Sequence, residues 1–167
     1  MKKTAIYLIL ILTITGCRTQ NEVSKNSIVQ IDFIELGYGI CTVKTLTSEK
    51  MENTPTGTHN VSTNFKLIEK TDRIPIKIGQ QFGVDYLLKS DIYTEIPVEF
   101  VWTFPESITN ENGEVFKEIK YTRNVSTNEN NHSTYTLNEN YLLVKGEWKY
   151  EVLYKGKKIY QRKFYLE

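Results

Sequence analysis

The amino-acid sequence predicts an all-β protein. The expected fold is a single antiparallel β-sandwich, immunoglobulin-like or Greek-key, with about seven or eight strands. Short runs rich in Val, Ile, Tyr, Phe and Thr are separated by Gly, Pro, Asn and Asp, and no convincing helical period follows the first 27 residues. The run EIPVEFVWTFPE alternates without a break, and a hairpin pattern closes the chain. A small β-barrel is the alternative arrangement.

The beginning of the chain predicts a signal peptide over residues 1–16. Two lysines precede an apolar run from Ala5 to Ile14, which is too short for the roughly 20-residue helix that spans a bilayer. The tetrapeptide Ile14-Thr15-Gly16-Cys17 resembles a bacterial lipobox. That resemblance implies cleavage before Cys17 and attachment of acyl chains to its thiol. An ordinary signal peptide with a chance cysteine is the alternative.

The predicted location is the bacterial cell envelope, with the membrane as a partner through the acyl chains on Cys17. Two or three such chains hold a protein firmly on a lipid surface. Arg18 stands where aspartate would signal retention in an inner membrane, which favours an outer membrane if the host has one. Residues 17–27 are polar and predict a flexible tether, and residues 28–167 are long enough for one domain.

Charge and cysteine usage narrow the classes of partner. The chain has a formal net charge of +1, and loss of the two leader lysines leaves 19 basic and 20 acidic residues. A nearly neutral body provides no long-range attraction to a polyanion, so no nucleic-acid partner is expected. With Cys17 acylated, Cys41 has no partner for an intramolecular disulfide, and its apolar neighbours predict a buried thiol.

The first part of the domain combines a strand with a long polar connection. SIVQIDFIELGYGIC predicts a strand whose more apolar face carries Ile31 and Phe33, and the Gly-Tyr-Gly at 37–39 predicts a bulge or bend. LTSEKMENTPTGTHNVS is expected to be a loop with turn residues at Pro55 and Gly57. TNFKLIEKTD is the next strand candidate.

The central strands follow from period-two alternation. One strand in GQQFGVDYLLK aligns Phe82, Val84, Tyr86 and Leu88. The next buries one face of EIPVEFVWTFPE, with Pro105 expected to end it. Its inward face consists of Ile96, Val98, Phe100, Trp102 and Phe104. Asn112-Gly113 predicts a tight turn into the strand VFKEIKYTRNV, and STNENNHS is expected to be a polar loop.

The closing stretch VKGEWKYEVLYKGKKIYQRKFYLE interleaves basic and aromatic residues. Its period of two predicts a hairpin that turns around Gly156, with the charges on solvated faces. Trp148, Tyr150, Val152 and Tyr154 are expected to share one face. We therefore interpret this stretch as part of the sandwich and not as a surface for nucleic acid.

No catalytic, cofactor-binding or metal-binding residue is predicted. His59 and His132 are the histidines of the chain, and each stands in a polar stretch without a cysteine or second histidine at ligand spacing. The Gly-x-Ser-x-Gly frame of a serine hydrolase is missing from the sequence. The predicted binding surface is instead formed by the stretches 47–60 and 126–133, which include His132, and by Tyr160 and Tyr165 of the last hairpin.

Most of the body resembles a family of uncharacterised bacterial envelope proteins known as a domain of unknown function. The features that carry the resemblance are FIELGYGIC, IPIKIGQQFGVDY, WTFPESITNENGEVF and the stretch LNENYLLVKGEWKYEVLYKGKKIYQRKFYL. Lys145 and Leu166 stand where the family usually has proline and valine, and both changes keep the burial pattern. The resemblance implies one sandwich domain after a signal peptide and carries no catalytic residues.

Three functions are compatible with these observations. The first is a non-catalytic binding or adaptor module for an envelope protein or a glycan. The second is a structural, envelope-maintenance lipoprotein without a small ligand. The third is a hydrolase of an unrecognised type, which the missing motifs disfavour. Loops of sandwich proteins often carry function, and this general tendency favours the binding module.

Overall fold

A computed structural model describes residues 30–167. They form nine strands and one short 3-10 helix at Asn140–Leu142. The strands are β1 (Asp32–Lys50), β2 (Thr58–Glu69), β3 (Arg73–Ile74), β4 (Gln80–Lys89), β5 (Glu95–Thr109), β6 (Val115–Ser126), β7 (Asn130–Leu137), β8 (Gly146–Tyr154) and β9 (Lys157–Leu166). The predicted signal peptide, Cys17 and the tether up to residue 27 lie outside the described residues.

The strands form two sheets, which confirms the predicted sandwich. One sheet has the order β2-β1-β4-β7 and the other β3-β9-β8-β5-β6. The two sheets do not close into a barrel in the part of the chain that the structure describes. Between them lies an aromatic-rich core whose largest fully buried side chains include Trp102, Trp148, Tyr86, Tyr150 and Phe82. Burial of each such side chain contributes roughly 1.5–3 kcal/mol.

Strand β5 buries the predicted apolar stripe. Its five inward residues from Ile96 to Phe104 are all buried. Pro105, however, does not end the strand, which continues to Thr109. The pairing of β5 with β6 shifts register between Thr103 and Ile108, so Pro105 lies where β6 requires no ladder hydrogen bond from it.

Two stretches predicted to be loops are largely strands. Residues 46–62 belong to the ends of a long hairpin, and the turn between β1 and β2 spans only residues 51–57. Residues 126–133 reduce to a short turn between β6 and β7. His59 therefore lies in β2 and His132 in β7, and neither is a loop residue. Strands that consist of threonine and other polar residues show no apolar alternation, so the sequence pattern does not reveal them. Their hydrogen-bonding partners are distant in sequence and give no local signal either.

The remaining turns agree with the sequence. Gly113 and Gly156 adopt positive φ values of 80° and 74° in the turns before β6 and β9. The predicted bend in the first strand is confirmed by a register shift between Glu35 and Gly37, where β1 pairs with β4. Gly39 has a φ of 130°, a conformation that side chains rarely allow. No helix within residues 30–167 is both long enough and apolar enough to cross a membrane.

Candidate functional site

The β1–β2 hairpin extends far beyond the sheet from which it starts. The pairing of β1 with β4 ends at Ile40, whereas its pairing with β2 continues to Lys50. We name residues 42–66 the arm. The hydrophobic core contains no residue of the arm. Its strands form because β-branched threonines favour extended backbone, and its turn closes through a hydrogen bond from the Met51 N–H to the Gly57 carbonyl at 3.0 Å.

The arm crosses the outer face of β4 and β7. The Val43 N–H donates to Gln81 Oε1 at 3.1 Å, and the Ser62 hydroxyl lies 2.9 Å from His132 Nε2. The ring of Phe65 packs against the ring of His132 with centroids 5.8 Å apart. These contacts fasten the base of the arm to the sandwich.

The tip of the arm is fastened at the end of the sandwich that carries the β5–β6 turn. The carbonyl of Pro55 accepts hydrogen bonds from Asn110 Nδ2 at 3.3 Å and from the Tyr141 hydroxyl at 3.2 Å. His59 packs on the ring of Tyr121 in β6, with centroids 5.1 Å apart. The arm therefore covers the opening between β7 and β6, which are the edge strands of the two sheets.

A cavity of about 100 Å³ lies under the arm. None of the side chains that line it is Asp, Glu, Lys or Arg. Its hydroxyl and amide groups come from both sides, with Thr45, Thr54, Thr56, Thr58, Asn60 and Ser62 on the arm and Thr134, Thr136 and Asn138 on or just after β7. Rings of Trp102, Tyr121 and Tyr135 supply the aromatic part. The cavity thus presents neutral hydrogen-bonding groups beside aromatic faces.

A second, more polar hollow of about 220 Å³ adjoins the base of the arm. Ser62 and His132 line it together with Arg123, Thr63, Asn130 and Asn131. Asp85 of β4 is the cross-strand partner of His132. A serine, a histidine and an aspartate are therefore neighbours here. The Asp85 carboxylate accepts no hydrogen bond from the imidazole within the described residues, so a complete catalytic relay is not formed.

Burial sets the protonation of the two histidines. Desolvation lowers the pKa of His59, and the nearby Arg123 charge lowers it further while Glu49 opposes the shift. Desolvation also lowers the pKa of His132, with Asp85 raising it and Arg123 lowering it. Both rings are therefore neutral at pH 7, and the site as a whole carries no added positive charge from histidine.

Cys41 of β1 immediately precedes the arm and pairs with Leu67 of β2. Its side chain is buried, and burial raises the pKa of its thiol to about 12. Since the thiolate is the reactive form, this cysteine is inert at neutral pH.

Tyr160 does not point into open solvent. It is half-buried, stacks on Phe33 with ring centroids 4.0 Å apart, and donates its hydroxyl proton to the Glu35 carboxylate. Arg162 also binds Glu35 and lies 3.7 Å above the ring centroid of Tyr38. This cluster closes the seam between β1 and β9 on the side of the sandwich opposite the arm.

The three residues named as a binding surface therefore lie in three different places. His132 is under the arm, Tyr160 is in the β1–β9 seam, and Tyr165 is 38% exposed on β9, where it pairs with Glu147 of β8. No motif or spacing in the sequence marks Ser62, Tyr121 or Thr134 as part of the site. The β-branched Thr and Val pattern on both sides of Pro55-Thr56-Gly57 could have indicated Ser62, whereas Tyr121 and Thr134 reach the site only through the pairing of β6 and β7 with other strands.

Within residues 30–167, no three side chains of His, Cys, Asp or Glu approach closely enough to hold a metal ion. The site is defined instead by the arm, the neutral cavity and the adjoining hollow.

The two stacked sheets, antiparallel except where the short β3 runs parallel to β9, and the aromatic core define an immunoglobulin-like β-sandwich. A crystal structure of an immunoglobulin-like protein from Pseudomonas aeruginosa aligns with a TM-score of 0.60 and 18% sequence identity, covering 86% of this chain and 99% of that chain. At this identity the similarity shows the fold alone. The chain belongs to the family described as domain of unknown function (DUF3859), whose model matches residues 30–166.

Two further structures share parts of the fold. An alkylpurine DNA glycosylase from Pseudomonas fluorescens, bound to DNA containing an abasic site analog, aligns at 14% identity and a TM-score of 0.38 over 57% of this chain and 28% of that one. A β-glucosidase from Listeria innocua in complex with glucose aligns at 10% identity and a TM-score of 0.33 over 77% of this chain and 16% of that one. TM-scores below 0.5 carry no functional information. No curated protein is significantly similar in sequence.

Proposed function

We propose that this protein is a lipid-anchored, non-catalytic binding module of the bacterial cell envelope. The anchor follows from the lipobox-like residues that precede Cys17. The binding function follows from one observation: the arm contributes nothing to the hydrophobic core, yet specific contacts hold it at its base and at its tip. The arm is a segment of about 25 residues that adds nothing to the core, and it is best explained by a function at the protein surface.

The chemistry of the cavity favours a glycan as the ligand. Neutral hydroxyl and amide groups match sugar hydroxyls, and aromatic rings offer faces against which the C–H groups of a sugar pack. The absence of charged side chains from the lining disfavours an ionic ligand. A volume of about 100 Å³ is below the roughly 300–1,000 Å³ of enclosed small-molecule sites. The ligand would therefore insert one end and extend along the arm.

Titration of the full-length lipoprotein with neutral oligosaccharides tests this proposal. The probes are a β-1,4-linked N-acetylglucosamine tetramer and a glucose tetramer, followed by tryptophan fluorescence because Trp102 lines the cavity. Thr134→Val removes one lining hydroxyl without changing the shape of the side chain. We expect affinity to fall by about 2- to 12-fold, the equivalent of one hydrogen bond of about 0.5–1.5 kcal/mol.

Thr122→Val is the matched control, since Thr122 is exposed on β6 and does not line the cavity. Equal affinities of wild type, Thr134→Val and Thr122→Val would place the ligand elsewhere. Failure of both oligosaccharides to bind would contradict the glycan proposal and leave the structural lipoprotein as the better description.

The anchor has its own test. Cys17→Ser should abolish incorporation of labelled fatty acid and leave an unprocessed precursor. Cys41→Ser is the control, because the buried thiol has no part in acylation. Undiminished labelling of Cys17→Ser would end the lipoprotein proposal.

A second candidate function is a serine hydrolase, favoured by the 2.9 Å contact between the Ser62 hydroxyl and His132 Nε2 beside the polar hollow. In that reaction His132 would take the hydroxyl proton while Ser62 Oγ attacks an acyl carbon. A fluorophosphonate probe tests it, since attack of Oγ on phosphorus would expel fluoride and leave a covalent adduct. Absence of an adduct on the native protein, or an adduct that persists in Ser62→Ala, would exclude this candidate.

A further inference from the structure

Two exposed apolar side chains lie at the end of the sandwich at which the described chain begins. Asp32 pairs with Lys89, so β1 starts beside the loop of residues 90–94 that joins β4 to β5. Ile92 is 53% exposed and Tyr93 is 65% exposed in this loop. We call this the proximal end of the domain.

Two more turns lie at the proximal end. Glu95 at the start of β5 pairs with Ser126 at the end of β6, which places the β6–β7 turn there. Glu99 pairs with Leu153 near the end of β8, which brings the β8–β9 turn to the same end. The four lysines here, Lys89, Lys155, Lys157 and Lys158, are matched in number by Asp32, Asp91, Glu95 and Glu129. The charges at the proximal end therefore favour neither a positively nor a negatively charged partner surface. What distinguishes this end is its exposed apolar side chains.

The exposure of Ile92 is imposed by the surrounding structure. The hydroxyl of Thr127, which is completely buried, donates to the Ile92 carbonyl at 2.7 Å. Asn128 Nδ2 donates to the Ser90 carbonyl at 2.9 Å, and Asn128 Oδ1 accepts from the Ser90 N–H at 3.0 Å. The backbone of the loop is thus held from behind, and its apolar side chains are directed away from the core.

The environment of Tyr93 is amphipathic. Its hydroxyl donates to the Glu129 carboxylate at 3.1 Å, while most of its surface remains accessible. A tyrosine with a satisfied hydroxyl and an open ring suits the boundary between lipid headgroups and acyl chains. An isoleucine beside it adds apolar area that would enter the same layer.

We propose that Ile92 and Tyr93 contact the lipid layer that holds the acyl chains of Cys17. This inference rests on the lipid anchor of the proposed function. Gln30 lies only 13 positions after Cys17, and even a fully extended chain of that length spans at most about 45 Å. The described chain begins at the proximal end, so this end is the one the anchor holds nearest to the lipid.

The contact would also orient the candidate site. Asn110 and Tyr141, which hold the tip of the arm, lie at the opposite end of the sandwich, beyond the ends of β5 and β7. A domain that stands on Ile92 and Tyr93 therefore presents the tip of the arm away from the lipid surface, where a ligand of the envelope can reach it.

Depth-dependent fluorescence quenching tests the contact. The full-length lipoprotein is reconstituted into vesicles of phosphatidylethanolamine and phosphatidylglycerol that contain phospholipid brominated on its acyl chains. Tyr93→Trp reports on the proximal end. Val115→Trp is the matched control, because Val115 is 63% exposed at the distal β5–β6 turn. The buried Trp102 and Trp148 contribute a common background that the wild-type protein measures.

We expect bromolipid to quench the added fluorescence at position 93 at least twofold more than at position 115. Ile92→Trp provides an independent probe with the same expected result, should Tyr93→Trp disturb the bond to Glu129. Equal quenching at 93 and 115, or stronger quenching at 115, would overturn the inference. Mass spectrometry of the same samples separates the two proposals: acylated protein without a quenching difference contradicts only the lipid contact, whereas unacylated protein contradicts the anchor and the contact together.

Discussion

Replacing Gly39 by alanine should destabilise the domain far more than the same change at Gly37, two residues earlier. Gly39 has a φ of 130°, where an L side chain is strained. A Cβ added to Gly39 would also overlap the carbonyl oxygen of Glu69 and lie 2.7 Å from the Thr71 nitrogen. Both neighbours are backbone atoms, so neither can turn aside as a side chain would.

The magnitude follows from these two costs. Backbone strain of this kind costs about 1–3 kcal/mol, and forcing an extra carbon into a packed site costs about 1–3 kcal/mol. The free energy of unfolding should therefore fall by about 2–6 kcal/mol in Gly39→Ala, out of the 5–15 kcal/mol typical of a domain. At Gly37 the added Cβ would lie 3.3 Å from Leu67 Cδ2, which is a movable side-chain atom. We expect Gly37→Ala to change the stability by less than about 1 kcal/mol.

Urea unfolding of the lipoprotein in mild detergent, followed by tryptophan fluorescence, measures the difference. The dependence of the unfolding free energy on urea concentration should have the same slope in both variants as in the wild type. The urea concentration at the transition midpoint should differ between them. If the free energies of unfolding of Gly39→Ala and Gly37→Ala differ by less than about 1 kcal/mol, the backbone of β1 can relax at Gly39. The close approach of Gly39 to the Glu69 and Thr71 backbone would then not be what excludes a side chain at this position.

Three further predictions concern the core, the thiol and the histidines. Trp102→Ala should lower the free energy of unfolding by about 3–5 kcal/mol in the same urea assay, and a loss below about 1 kcal/mol would contradict its burial in the core. Cys41 should resist iodoacetamide at pH 7.5 in the native protein and react once urea unfolds it; rapid native labelling would contradict the raised pKa of its thiol. His59 and His132 have lowered pKa values in the folded state, so the stability that depends on their neutral form is complete above about pH 6.5 and is lost as the pH falls through their lower folded values. The urea midpoint should therefore drop more between pH 7 and pH 5 in the wild type than in His132→Asn, and equal drops would refute the contribution of His132.

The core strands could be predicted from sequence because their side chains obey a period of two. The alternation of β5 and β8 gave the inward residues correctly from Ile96 to Phe104 and from Trp148 to Tyr154, but Val101 on the other face of β5 is buried as well. The sharp turns at Asn112-Gly113 and Gly156 were predictable for a local reason, since glycine tolerates the positive φ that they require.

The candidate site was harder to predict because its contacts join distant parts of the chain. Ser62 meets His132 across 70 positions, and the Pro55 carbonyl accepts from Tyr141 across 86. A polar, threonine-rich stretch has no apolar period to reveal that it is extended, and its extension becomes evident only when strands are paired. Residues 46–62, which make up most of the arm, were therefore expected to be a loop.

The sequence by itself determined the class of fold, the faces that form the core and the prediction of a lipid anchor, because each depends on residue type and local spacing. Tertiary structure decided where the arm lies, that Tyr160 closes a seam through Glu35 at a separation of 125 positions, and which loops share an end with the start of β1. The physical reason is that hydrogen-bonding and packing partners of polar strands are chosen by sheet topology, which local patterns do not encode.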